Sequence, residues 1–196
     1  MRSSPWLGAA IAGLLIALAS PAHATISEAL SLPELVAEAD HVVLVTCVDE
    51  RTSRDARRRI VTDFTLRVEE AMKGGARPGS TLTMRRLGGA LGDLGMRVEG
   101  EPHLEVGRRY LVFLRTLTDG TTLRPVGMSQ GVMPVQEEAG ARMVQPGGGG
   151  MALMQRGSDG RLRPAPAALL HPRPYVDVRG RVERLVADGT GGAVAP

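Results

Sequence analysis

Few residues in this chain combine types and spacing that could do chemistry. Ser129 lies in Gly127-Met128-Ser129-Gln130-Gly131, which matches the G-x-S-x-G pattern of a nucleophile elbow. That elbow requires a strand-to-helix turn. Here the flanks read as strand on both sides, so the two glycines are read as bulges in a strand. A hydrolase would need Ser129, His103 and Asp93 to meet from distant positions, and no spacing supports such a triad. Beyond the leader, histidines stand at 41, 103 and 171. None forms an H-x-H or H-E-x-x-H metal pattern, and no metal or cofactor is expected. Cys47 sits within the apolar run His41–Asp49 and reads as a small core residue, because a nucleophile needs exposure and a base. Glu69-Glu70 and Glu137-Glu138 are neighbours in strands. Neighbours point to opposite faces, so neither pair converges as an acid/base couple, and both read as solvated charges.

The remaining candidate is a loop. Residues 88–107 form a long glycine-rich connection between two strands. It lacks the G-x-G-x-x-G order and has no following helix to aim at phosphate. Long loops on rigid β scaffolds often carry binding. The expected recognition surface is therefore 88–103, with Gly88, Gly89, Gly92, Asp93, Arg97 and His103 as its marked residues.

The elements that hold this loop are mostly strands. Ser31-Leu32-Pro33-Glu34 opens a short helix with a capping serine and a glutamate three residues on. His41–Asp49 is a continuous apolar strand. Ile60–Val68 alternates with period two, so one face is buried. Further strands are expected over 81–87, 109–117, 121–135 and 141–145, with a hairpin at Asp119-Gly120. The fold class is mainly β: a small OB-like antiparallel barrel of five to six strands with a short N-terminal helix that could cap one end. The barrel domain is expected over 25–145, a Gly/Pro-rich linker over 146–174, an amphipathic helix over 175–187 and a flexible tail over 188–196.

The first 24 residues read as a signal peptide. Arg2 precedes the uncharged 14-residue run Trp6–Ala19, and Ala22-His23-Ala24 fits small-x-small cleavage. A membrane span needs about 20 apolar residues. Export by the general secretory route to the periplasm or beyond is expected, with no transmembrane segment after cleavage. The 196-residue chain carries a formal charge of +3, and Lys73 is the only lysine among its 24 basic residues. The one basic run, Arg57-Arg58-Arg59, lies between two strands and reads as a solvated turn. Aromatics are 3% of the chain, which leaves little for bases to stack on, so nucleic acid is not expected as a partner.

The segments SLPELVAEADHVVLVTCVDE, IVTDFTLRVEEAMKGG, GGALGDLGMRVEGEP, VGRRYLVFL and PVGMSQGVMPV, in that order over about residues 31–135, resemble an uncharacterised family of exported bacterial proteins. More distantly, the layout is similar to the OB-like netrin module of the tissue inhibitors of metalloproteinases. That resemblance implies a five-stranded barrel with a protein-binding role. Those inhibitors act through a disulfide-locked N-terminal cysteine, whereas this chain after cleavage starts at Thr25 and has only Cys47. Their mechanism is therefore not implied. The sequence points to a non-catalytic binding or accessory module for a cell-envelope or extracellular protein. An envelope hydrolase and a structural protein docking through its C-terminal helix are the alternatives.

Overall fold

The computed structural model describes residues 25–166 and 171–189. The expected signal peptide, part of the expected linker (167–170) and the end of the expected tail (190–196) lie outside them. The chain is mainly β. Five strands form a closed ring: β2 (His41–Arg54), β3 (Ile60–Lys73), β4 (Thr81–Leu87), β7 (Arg109–Thr116) and β8 (Leu123–Pro125). Around the ring the order is β2-β3-β4-β8-β7 and back to β2. All neighbours are antiparallel except β4 and β8, which meet in parallel at Met84 and Leu123. The ring thus has the barrel architecture expected from the sequence.

The long β2–β3 hairpin makes the curvature. Its register shifts at Val42/Val43, Leu44/Val45 and Cys47/Asp49. Such irregularities bend a strand and increase its twist, which lets a sheet close. Its turn contains the arginine run. Asp55 accepts the backbone N–H of Arg57 and of Arg59 and pairs with the Arg59 guanidinium. Those hydrogen bonds hold the Asp55 carboxyl below its ordinary value. Asp119 does the same for the β7–β8 turn. Hydrogen bonds from the Thr122 hydroxyl and from the Thr122 and Thr121 amides pull its pKa down to about 2.

β2 and β7 are buried on both faces, and this explains their unbroken apolar runs. Val43, Val45 and Cys47 of β2, with Tyr110, Val112 and Leu114 of β7, join Phe64, Leu66 and Met84 in one core. The alternate residues Val42, Leu44, Leu111 and Phe113 belong to a second core outside the ring. Two helices cover that outer face: α1 (Leu32–Glu38) and α2 (Tyr175–Ala187). The N-terminal helix therefore packs on the wall of the barrel rather than capping its end. Its N-terminus carries the expected capping box between Ser31 and Glu34. At its other end, the ammonium of the sole lysine, Lys73, donates to Val36 O at 2.8 Å, a favourable place for a cation.

The C-terminal helix α2 begins and ends where the sequence predicts. Tyr175, Val178 and Val182 are buried in the outer core. Glu70 fastens this helix. Its carboxylate accepts from the Tyr175 hydroxyl at 3.1 Å and pairs with Arg179 at 3.0 Å and Arg142 at 3.4 Å. Burial, reinforced by that carboxylate, pushes the Tyr175 phenol above its ordinary value, so it remains a donor. Glu70 is thus a clamp rather than a merely solvated charge. No described helix is long and apolar enough to cross a membrane.

Two sequence expectations are corrected. The region 121–135 is not one bulged strand. β8 ends at Pro125, a 3-10 turn spans Met128–Gly131, and β9 (Val132–Glu138) leaves the ring to pair with the other half of β7. β9 then pairs with β10 (Ala141–Val144), which also holds β13 (Arg173–Pro174). The segment 146–174 is not simply a linker. It carries β11 (Met151–Arg156) and β12 (Leu162–Pro164), and β11 pairs in parallel with β1 (Thr25–Glu28). These strands are short and rich in Gly, Pro and Arg around them, so no period-two apolar signal marks them in the sequence.

Because Glu70 joins three partners on α2 and β10, Glu70→Ala is expected to lower stability by about 1–2 kcal/mol, given partly exposed ion pairs and one half-buried hydrogen bond. Urea denaturation measures this. Amide exchange should quicken in α2 before it does in β2 and β3; equal quickening everywhere would mean the clamp is not local.

Candidate functional site

The expected recognition loop divides into two structures. β5 (Gly89–Leu91) and β6 (Leu94–Met96) form a small antiparallel hairpin of their own. Gly88 and Gly89 are its joint with the barrel. Gly88 N–H donates to Ile60 O at 2.8 Å, and the Thr62 hydroxyl donates to Gly88 O at 2.7 Å. A Cβ on Gly88 would stand 2.5 Å from Met96 O, and one on Gly89 would stand 2.4 Å from Thr62 Oγ1. Both residues also have positive φ, so glycine is required there for geometry. Gly92 and Asp93 make the exposed turn at the tip, with the exposed Leu94 beside them. Arg97 is exposed and pairs with Glu99 at 2.6 Å.

The second half of the loop turns back and lines a cleft of about 260 Å³. Glu101, Pro102 and His103 form one wall of it. Ser129 of the 3-10 turn and Tyr110 of β7 lie across from them, with Pro134, Pro146 and Gly147–Gly149 completing it. Thus His103 belongs to the cleft, whereas Asp93 and Arg97 are not among its lining residues.

A short backbone seam assembles the cleft. Ser129 N–H donates to Gly100 O at 2.9 Å, and Gly148 N–H donates to Ser129 O at 2.9 Å. Gly147 crosses so closely that a Cβ would stand 2.4 Å from Gln130 O. Gly147 and Gly148 are therefore a fitted wall, while Gly149 and Gly150 are open to solvent. Here the sequence signal was present but was misread: four consecutive glycines suit a flexible tether and a close backbone crossing equally well.

Two residues of the cleft wall carry buried polar atoms without partners. The Glu101 side chain is 1% exposed. One of its oxygens pairs with Arg124, while Glu101 Oε2 has no hydrogen-bond partner. Ser129 is also buried, and its Oγ has no partner. A buried polar group left unpaired costs about 1–3 kcal/mol, and native folds leave few. The Tyr110 oxygen accepts from Glu105 N–H at 2.8 Å, which leaves its own proton to donate. Burial pushes the Tyr110 phenol up, so it keeps that proton.

The arrangement differs from a catalytic triad. Ser129 and His103 line one cleft but are not hydrogen-bonded, since Ser129 Oγ has no partner. Asp93 stands on the hairpin turn. Cys47 is fully buried in the barrel core, and burial, with Glu50 next, pushes its thiol up. It lacks the exposure of a nucleophile. Among the described residues, no cluster of three His, Cys, Asp or Glu side chains could hold a metal ion. His41 and His171 lie elsewhere, His171 beside β13.

A larger groove, of about 480 Å³, lies along β2, β7 and β9. Its acidic groups are paired, but its arginines outnumber them, with Arg67, Arg108, Arg109 and Arg142 against Glu69 and Glu137. Glu69 accepts from the Thr46 hydroxyl and from Arg109, and Arg109 also meets Glu137. Burial opposes the charged form of Glu69, but those hydrogen bonds outweigh it and hold the carboxyl below its ordinary value. The smaller cleft is the stronger candidate because it brings His103 of the expected loop together with the Ser129 turn, over buried polar atoms that lack partners.

Comparison with protein-family models and with curated proteins finds no match to this chain.

Arg124 is the only described partner of the buried Glu101 carboxylate. Arg124→Met is therefore expected to cost about 3 kcal/mol by stranding that charge. Arg124→Met with Glu101→Met should recover most of the loss. Chemical denaturation of the single and double variants checks this, and an undiminished loss in the double variant would refute the pairing.

Proposed function

We propose that the chain is an exported, non-catalytic binding or accessory module that engages an envelope or extracellular protein in the periplasm or outside the cell. The observation that carries this reading is the β5–β6 hairpin. It forms a separate two-stranded sheet on a closed barrel, and its tip presents exposed Asp93 and Leu94. An apolar residue among polar ones on an exposed turn suits a protein contact. The joint at Gly88-Gly89 fixes how the hairpin leaves the barrel, so the tip is presented on a rigid base.

Two further lines support it. The short N-terminal apolar run and the Ala22-His23-Ala24 site suit secretion and cleavage before Thr25. The netrin-module resemblance implies a five-stranded barrel with a protein-binding role, and the ring here has five strands. The buried Cys47 gives no route to the inhibitors' metal-chelating mechanism.

The alternatives draw less support. A docking role for α2 needs a free apolar face, but Tyr175, Val178 and Val182 already lie in the outer core. Val176 is its one large apolar residue that is well exposed. A hydrolase role needs the Ser129–His103 couple that the cleft does not form.

A cross-linked pull-down from cell-envelope extract tests the reading. One bait is the intact protein. The other has residues 90–95 replaced by a two-residue Gly-Ser turn, which spares the Gly88-Gly89 joint and the cleft wall, with circular dichroism confirming its fold. A partner captured by the intact bait alone is expected. The same partners on both baits, or none on either, would overturn it.

A further inference from the structure

We infer that the groove between the β2–β3 and β7–β8 turns is a binding site for a phosphate group, carried by a small soluble compound or by a lipid headgroup. It uses other residues than the hairpin tip, so either proposal can fail without the other.

A row of charge crosses the outside of the ring. Arg51 of β2 lies opposite Asp63 of β3, and Asp63 lies opposite Arg85 of β4. Met84 and Leu123, the residues before Arg85 and Arg124, meet in parallel, so Arg85 and Arg124 stand side by side. Arg124 of β8 in turn lies opposite Arg115 of β7. The adjacent Phe64, Met84, Leu114 and Leu123 fill the barrel, so this row faces outward. Every strand of the ring contributes one charge to it, and Asp63 is the only acid. Directly opposed like charges destabilise a sheet. Arg115 is exposed and has no acidic partner among the described residues, so an anion between it and Arg124 would relieve the repulsion.

The two turns convert part of this row into a groove of about 450 Å³, within the range of about 300–1,000 Å³ typical for ligand sites. Arg57, Arg59, Arg85 and Arg124 line it, with Asp55, Asp119 and the exposed Thr118. The arginine run of the sequence thus places two of its three members on a groove. Three of the lining arginines already hold an acid: Arg59 with Asp55 at 2.7 Å, Arg85 with Asp63 at 2.7 Å, and Arg124 with Glu101. Arg57 is exposed and holds none. The Asp119 carboxylate is occupied by Thr121 and Thr122. What is left over along the row and groove is Arg51, Arg57 and Arg115, against Asp119 alone.

Phosphate fits this arrangement better than a further carboxylate. A carboxylate takes one guanidinium edge, as Asp63 takes Arg85 through two contacts of 2.7 Å. A phosphate group carries about −1.5 to −2 charge and three acceptor oxygens. It can bridge arginines from different segments while the internal pairs stay in place, because each guanidinium has five N–H donors. The groove is preformed. Asp55 ties the β2–β3 turn through the Arg57 and Arg59 amides, and Asp119 ties the β7–β8 turn, so little ordering opposes binding. Aromatics, at 3% of the chain, are too few to stack bases, which points away from nucleic acid as the source.

Titration of the ¹⁵N-labelled protein with inorganic phosphate tests this, with succinate as the carboxylate control at matched, low ionic strength. Saturable shifts centred on the amides of 55–59, Arg85 and 117–124 are expected, with phosphate half-saturating at a concentration about fivefold or more below succinate. Arg57→Gln combined with Arg115→Gln breaks no described ion pair. Its melting temperature should hold or rise, while phosphate binding weakens about fivefold or more. Arg67→Gln, which removes an exposed arginine from the larger groove, should leave phosphate binding nearly unchanged. No saturable shift, equal affinity for succinate, or equal weakening by Arg67→Gln would overturn the inference. The wild-type shift map needs no variant, so it decides the matter whatever the stability of the double substitution. Vesicles of phosphatidylcholine with phosphatidic acid then separate the two sources. Cosedimentation that phosphate competes away assigns a lipid headgroup, and phosphate shifts without cosedimentation assign a soluble compound.

Discussion

Strand β1, the return of the 88–107 loop and the glycine segment 147–148, all outside the closed ring, meet at one tight turn. At Met128–Gly131 the chain stops pairing with one half of β7 and starts pairing with the other. The crossing is so close that a Cβ on Gly131 would stand 2.3 Å from Val126 O. The same turn accepts Gly148 N–H and donates to Gly100 O. The Gln130 side chain accepts from Leu30 N–H at 2.8 Å and donates to Glu28 O at 3.0 Å. Four separate segments are thereby brought to one place: the loop return, the glycine wall, the start of α1 and strand β1. The cleft lies between the first two of these and the turn itself.

The ring tolerates these attachments because β2 and β7 have two apolar faces. One face fills the barrel and the other receives both helices. Burial on both sides is the main apolar driving force available. It also frees β3 and β4 to carry polar residues, as in the paired Asp63 and Arg85, which meet through two contacts of 2.7 Å. Glu70 then fixes the C-terminal helix with charge rather than with further apolar area. The hairpin, by contrast, joins this frame at two glycines and adds no residue to either core, which leaves its exposed turn open to a contact.

The legible parts of the sequence are those where local pattern and burial agree. The alternation from Ile60 to Val68, the apolar run at Val42–Val45, the Ser31–Glu34 box and the Tyr175–Val182 spacing each named their element. The illegible parts depend on partners remote in sequence. β1 and β11 are 126 positions apart in register, Thr25 opposite Met151, and neither has a pattern of its own. The Gly127–Gly131 motif reads as a bulge because its remote partners, Leu30 against Gly127 and Phe113 O against Gly131, are tertiary. The burial of the Glu101 carboxylate is equally illegible, because nothing in the local sequence says that it will pair with Arg124, 23 positions on.

The central claim is that the Met128–Gly131 turn, through Gln130, holds β1 and β11 as part of the fold. Native-state amide exchange of the wild type and Gln130→Ala tests it most directly. The account predicts clear protection at Leu30, Gly148 and the paired amides of β1 and β11 in the wild type. In the variant, that protection should fall by an order of magnitude or more, while β2, β3 and β7 stay protected. Unprotected β1 and β11 amides in the wild type, or protection unaffected by the substitution, would contradict it.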